Sequence, residues 1–258
     1  MERKVFTMSF MQVFSTPSFY LSIIAVTALC FISVWDDLSE WGSNFSTAHY
    51  FDLFIGLTMF KKLVVLFAAV PYVSSFCSDW KYQFIKPVLI RTGIFKYIWS
   101  KVITCFVSGF LVVFLGLMIF ITLLSLIVPM FDGNSTIREP FALLAEGQLP
   151  VLYLVAQSFI FSLAAALWTV VGLALSAFIP IHFVAITAPV IASYLLEELT
   201  RLLPNWLNLY GITRSANVIH QGPLISFAYF CFIFILFSAL AGMVFSYQVR
   251  RRIHNEVV

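Results

Sequence analysis

Six runs of mostly apolar residues, each near the length of a bilayer crossing, limit what this chain can fold into. They fall at 18–34, 53–77, 98–128, 151–175, 178–196 and 224–249. A crossing helix needs about 20 apolar residues, within a range of roughly 17 to 25. The third run exceeds that, so its helix tilts or projects beyond the hydrocarbon. The fourth and fifth are joined by a very short connection around residues 176–180. With 61% hydrophobic residues, 10% charged residues and a mean hydropathy of +0.98, the chain has more apolar surface than a soluble core of 258 residues can hide. The expected fold is all-α, a polytopic membrane domain covering residues 1–258 with six transmembrane helices.

The charges between the runs give the chain a direction, because Lys and Arg accumulate on cytoplasmic flanks. With the N-terminus inside, Arg3, Lys4, Lys81, Lys86, Arg91, Lys96, Lys101, Arg250, Arg251 and Arg252 are cytoplasmic, ten of the fifteen basic residues. Arg138, Arg201 and Arg214 fall outside, with Lys61 and Lys62 toward the outer face. Nine of the twelve acids, all but Glu2, Asp79 and Glu256, also fall outside or near that face. An even number of crossings returns Arg250–Arg252 to the cytosol. The pattern predicts a multi-pass protein of a bacterial plasma membrane with both termini cytoplasmic. Glu2, Arg3 and Lys4 before an apolar stretch mimic a secretory signal, but no small-x-small cleavage site follows, so residues 20–34 read as a retained crossing. A net charge of +3 is too small to suggest a nucleic-acid partner.

Three outer segments remain. Residues 35–52, with Asp36, Asp37, Glu40 and Trp41, read as a wet interfacial loop. Residues 130–150 carry Gly133, Asn134 and Gly147 between Pro129 and Pro150, all turn formers. Residues 197–223 keep helical apolar spacing but are broken by Pro204 and Gly211, which predicts one or two short helices at or dipping into the outer leaflet. Asn44-Phe45-Ser46 and Asn134-Ser135-Thr136 match the glycosylation pattern, which is short and common.

Motifs of catalysis are scarce. The chain has no GxxxxGK[ST], HExxH or GxSxG pattern, so it offers neither a P-loop nor the common zinc-protease and hydrolase signatures, and no catalytic residue is expected. Cys30, Cys77, Cys105 and Cys231 show no CxxC spacing and read as small hydrophobes. His49, His182, His220 and His254 are too scattered for a metal site. His182, beside Pro180, reads either as an interfacial histidine bonded to a freed carbonyl or as a proton relay. Glu197-Glu198 with Arg201, together with Phe178 and His182, faintly resembles intramembrane CAAX-type proteases. The spacing is one residue short, however, the order is reversed, and no second histidine element follows. A structural role for the two glutamates at the outer end of the fifth crossing is the expectation.

Lys61 and Lys62 are anomalous. If the second crossing runs over 53–77, Lys62 stands about 22 Å from its inner end, in the outer third of the bilayer. One reading starts the crossing at Lys62, with residues 51–60 along the interface and both lysines snorkelling. The other has them face a water-filled substrate pathway and attract an anionic group.

The segment 76–101, FCSDWKYQFIKPVLIRTGIFKYIWSK, must surface between two apolar runs, because Asp79, Lys81, Lys86, Arg91, Lys96 and Lys101 are costly in lipid. Pro87 predicts a helix over 75–86 that breaks there, and Thr92-Gly93 predicts a second turn before 94–101 leads into the third crossing. Basic residues alone are explained by anionic lipid. Trp80, Tyr82, Phe84 and Ile85, and the Trp80/Phe84/Val88 stripe, are better explained by a partner's groove.

This pattern resembles the type 2 ABC exporter permeases. The shared features are six crossings, an amphipathic helix at 2–15, a hairpin between crossings two and three, and a re-entrant segment between five and six. The local match covers about residues 76–102. Asp79 after the second crossing, a short coupling helix from Trp80 to Lys86, Arg91-Thr92-Gly93, Lys96-Tyr97 and Lys101 stand where the family has corresponding residues. The chain departs at Gln83-Phe84, where the family commonly carries Gly-Thr. The resemblance implies a permease subunit, itself without cofactor, that pairs with a second permease chain as a homodimer or related heterodimer. Separate ATPase subunits holding ATP and Mg would dock on Asp79, Trp80, Lys81, Tyr82, Phe84, Ile85, Lys86 and Arg91. The implied function is export of a hydrophobic or amphipathic peptide, drug or lipid by alternating access. The alternatives are a self-contained secondary transporter and a non-catalytic immunity or assembly protein.

Overall fold

The computed structural model describes residues 2–41, 45–56, 58–130, 141, 150–213 and 222–257. Among these residues every regular element is helical. Five helices are long and apolar enough to cross a membrane, which makes this a multi-pass membrane protein. They are α2 (Pro17–Trp41), α7 (Ile94–Ser125), α8 (Pro150–Ser176), α9 (His182–Thr200) and α11 (Pro223–Val257). The shorter helices are α1 (Glu2–Phe14), α3 (Thr47–Gly56), α4 (Thr58–Ala69), α5 (Ser75–Lys81), α6 (Ile85–Thr92) and α10 (Leu209–Thr213). Prolines open α2, α8 and α11, where the missing N–H falls among donors that have no partner within the helix.

Side-chain pairings set the directions of these helices. Thr27 donates to the Gly116 carbonyl at 3.0 Å and Phe31 packs edge-on against Phe120, so α2 and α7 run parallel. Cys105 meets the Thr169 carbonyl while Phe110 meets Phe159, so α8 returns antiparallel. Close approach depends on small residues. A Cβ on Gly109 would lie 2.6 Å from Thr169 Oγ1, and one on Gly116 would lie 2.7 Å from Val26 Cγ1. The most enclosed crossing helix is α8, flanked by α4, α7, α9 and α11.

The second apolar run departs most from expectation. It is not one helix over 53–77, because the chain turns through 70–74 between α4 and α5. Pro71, which has no N–H and disfavours a helical residue before it, ends α4 at Ala69. The turn at 70–74 keeps its own bonds, with Val73 N–H donating to the Ala69 carbonyl and Ser75 N–H to the Tyr72 carbonyl. Phe51, Phe54, Ile55, Val64, Ala68 and Ala69 are all buried, and irregular backbone is tolerated at such depth when protein encloses it. Residues 51–56 therefore belong to the core and do not lie along an interface. This broken strand of helix runs the length of α7. Thr47 N–H bonds the Pro129 carbonyl beyond one end of α7, and Asp79 pairs with Lys101 near the other.

Two further boundaries move. The loop predicted over 35–52 is mostly helix, since α2 continues to Trp41 and α3 begins at Thr47. The segment after α9 forms a 3-10 turn, Asn205–Leu207, and α10, two short helical pieces as expected. Asn208 caps α10 by accepting from the backbone N–H groups of Tyr210 and Gly211. Both chain ends gather at the end of the bundle that carries α5 and α6, the hairpin end. There Ser9 bonds Ser100 at 2.8 Å, and Arg252 donates to the Phe178 carbonyl. Asn44, Asn134, Arg138, Arg214 and His220 lie outside the described residues.

Candidate functional site

The hairpin between α4 and α7 is built from two short helices. Helix α5 stops at Lys81, and the chain turns through Gln83, whose φ of +55° is in the left-handed region that ordinary residues avoid. Pro87 does not end a helix, as its chemistry predicted, but sits in the first turn of α6. The first-turn N–H groups have no intrahelical acceptor, so proline loses nothing there. The stop falls instead at Gly93, whose φ of +78° and ψ of 150° suit only glycine.

This break divides the aromatic stripe. Trp80 and Val88 pack on the core while Phe84 points away from it. Ile85 is buried, not presented to a partner. The outward surface consists of Lys81, Tyr82, Gln83, Phe84, Pro87, Ile90 and Arg91, with Ile90 87% exposed. The Lys86 side chain lies outside the described residues, although its backbone is in α6.

Three polar ties join α5 to the crossing helices. Asp79 Oδ2 accepts from the Tyr97 hydroxyl at 2.8 Å and lies 2.9 Å from Lys101 Nζ, which fastens α5 to α7. The Lys101 ammonium also stands over the rings of Tyr72 and Tyr97, at 5.1 and 5.8 Å from their centres. Ser78 Oγ lies 3.0 Å from His182 Nε2, which fastens α5 to the start of α9. The partner of His182 is thus a hydroxyl and not a carbonyl freed by proline. Arg252 of α11 lies over the Trp80 ring at 5.2 Å. The hairpin is clamped to three helices at once. Lys101 and Asp79 were legible as charges in the sequence, but their pairing across twenty-two positions was not.

At the opposite end, Lys61 and Lys62 of α4 meet Glu197 of α9. Lys62 Nζ lies 2.7 Å from Glu197 Oε1, and Lys61 Nζ lies 3.7 Å from Oε2. Lys61, Lys62 and Glu197 are 2%, 8% and 4% exposed, so the lysines do not snorkel. Lys61 also stands 4.6 Å over the Tyr210 ring, whose centre lies 4.0 Å from the Arg201 guanidinium carbon. Thr200 holds the arrangement together by donating to the Glu197 carbonyl and accepting from Leu209 N–H. A cavity of about 10 Å³ beside Trp168 and Thr213 has room for roughly one water. The sequence marked the two lysines and the glutamate separately. Their matching depth on adjacent helices was the signal that would have joined them.

The faint protease pattern does not converge. His182 and Glu197 stand at opposite ends of α9, about 22 Å apart along its axis. Cys30, Cys77 and Cys105 are buried and Cys231 half-buried, all as free thiols. No protein-family model, curated protein or solved structure matches this chain.

Proposed function

We propose that this chain is the transmembrane permease subunit of an ATP-binding cassette exporter, with the hairpin facing the cytoplasm and docking a separate ATPase that holds ATP and Mg. The observation that carries this reading is the hairpin's combination of an exposed aromatic tip and rigid roots. Tyr82, Phe84 and Ile90 face outward, while Asp79, Ser78 and Trp80 are tied to α7, α9 and α11. A push on such a tip reaches three crossing helices without being absorbed by a flexible linker. The left-handed backbone of Gln83 adds support, since the family commonly places glycine there.

In this reading α3–α5 supply the second crossing, which brings the total to six, and both chain ends lie in the cytoplasm with the basic hairpin. Two such chains flank a pathway, and ATP, by favouring one conformation of the complex, shifts it from inward-open to outward-open. A cavity of about 320 Å³ between α8 and α11, lined by Phe141, Leu152, Val155, Ala156, Phe159, Pro223, Leu224 and Phe227, supports an apolar or amphipathic cargo. The buried lysines and glutamate favour the second reading, a self-contained secondary transporter. Purification of the complex from native membranes separates the two. An ATPase subunit should co-purify, and Tyr82→Asp with Phe84→Asp should release it while leaving the melting temperature unchanged, because both side chains are exposed. A complex with no ATPase, still active in transport, overturns the proposal.

A further inference from the structure

At the hairpin end, the start of α7 and the last turns of α11 enclose a groove of about 520 Å³, lined by Ile94, Phe95, Arg250, Ile253 and His254. That volume suits a small molecule or the upper part of a lipid. Three of the walls are apolar and two are nitrogen bases. Arg250 and His254 are four residues apart on α11, so they stand one above the other on one face. Both are exposed, as are Ile94 and Phe95. Among the described residues no carboxylate lines the groove. Trp99 packs against Phe95 at 6.0 Å, one turn further toward the apolar body of α7.

We infer that this groove is a binding site for one anionic phospholipid, whose phosphate sits against Arg250 and His254 and whose glycerol and upper acyl carbons lie on Phe95, Ile94 and Ile253. The mixture of walls selects that occupant. A soluble phosphate gains nothing from the aromatic and aliphatic surface, and an apolar peptide would bury the Arg250 guanidinium without a counter-charge. The groove also opens where two crossing helices end and Arg91, Lys96 and Arg251 surface, which is where an anionic headgroup lies in a bilayer. The site does not depend on the exporter reading, since it uses no residue of the hairpin tip.

The test is native mass spectrometry of the full chain in detergent, with phosphatidylglycerol or phosphatidylcholine added in parallel. Wild type should retain one phosphatidylglycerol at concentrations where phosphatidylcholine is stripped, and the same lipid should raise its melting temperature. Arg250→Gln should weaken retention by about fivefold, the value of one basic residue near a membrane surface. Arg251→Gln removes the same charge from outside the groove and should leave retention unchanged. Equal retention of the two lipids overturns the proposal. So does an equal loss in the two arginine variants, which would mean diffuse attraction to a basic tail. If Arg250→Gln does not fold, His254→Gln gives the same comparison, and the lipid-dependent melting shift of the wild type stands by itself.

Discussion

Glu197 is the residue on which most buried charge depends. Its two carboxylate oxygens face two ammonium groups that are almost entirely removed from solvent. Breaking such a buried arrangement from one side leaves charge without compensation and costs about 3–5 kcal/mol. Glu197→Gln should therefore lower the melting temperature of the detergent-solubilised protein sharply. Glu198→Gln removes only an exposed pair with Arg201, worth about 0–1 kcal/mol, and should melt close to wild type. Equal melting of the two variants would show that the buried cluster is not a structural tie. The neighbours Glu197 and Glu198 look alike in the sequence. What separates them is the face of α9 on which each falls, and nothing in the local residue pattern reveals that a pair of lysines waits there. The sequence does reveal that Lys61 and Lys62 are too deep to be ordinary.

At the scale of elements, the hairpin shows how proline and glycine are misread. Pro87 looks like a terminator because it lacks a donor, yet the first turn of α6 needs no donor from it. Gly93 does the stopping, with backbone angles closed to other residues. Gly93→Ala meets no neighbouring atom, so its penalty, about 1–3 kcal/mol, is purely one of backbone conformation. Amide hydrogen exchange should accelerate through α6 and the first turns of α7. Gln83→Gly should slow exchange in the same hairpin, because it relieves a left-handed residue worth about 1–2 kcal/mol. Elsewhere the limit is space. A Cβ on Gly172 would come within 2.3 Å of Pro189 Cγ, where α8 and the proline of α9 touch. Gly172→Ala should destabilise by about 1–3 kcal/mol in a thermal melt, through overpacking. A wild-type melting curve for this variant would mean that α8 and α9 have slack at that crossing.

For the whole molecule, uninterrupted apolar runs were the legible part. All five long helices, α2, α7, α8, α9 and α11, start within four residues of their expected positions because composition alone defines them. The second run was legible as apolar but not as broken, since its interruption at Pro71 is compatible with a kinked single helix. The polar ties between helices were not legible, because pairing such as Asp79 with Lys101 is a property of packing. That pair is also where the proposed mechanism is most exposed. Asp79→Asn and Lys101→Met, singly and together, form a double-mutant cycle. If the tie carries motion from hairpin to bundle, the single changes should each uncouple ATP hydrolysis from transport, with a coupling of about 0.5–3 kcal/mol between them. Independent, additive effects would place the transmission elsewhere.

The segmented run has a consequence for how the protein is made. Beyond the break at 70–74, the seven residues of α5 are too few to partition into a bilayer unaided. Their burial depends on side chains from α8, α9 and α11, which leave the ribosome later. Biogenesis must therefore hold this stretch at the translocon or the lipid boundary until its neighbours arrive, and only then thread it into place.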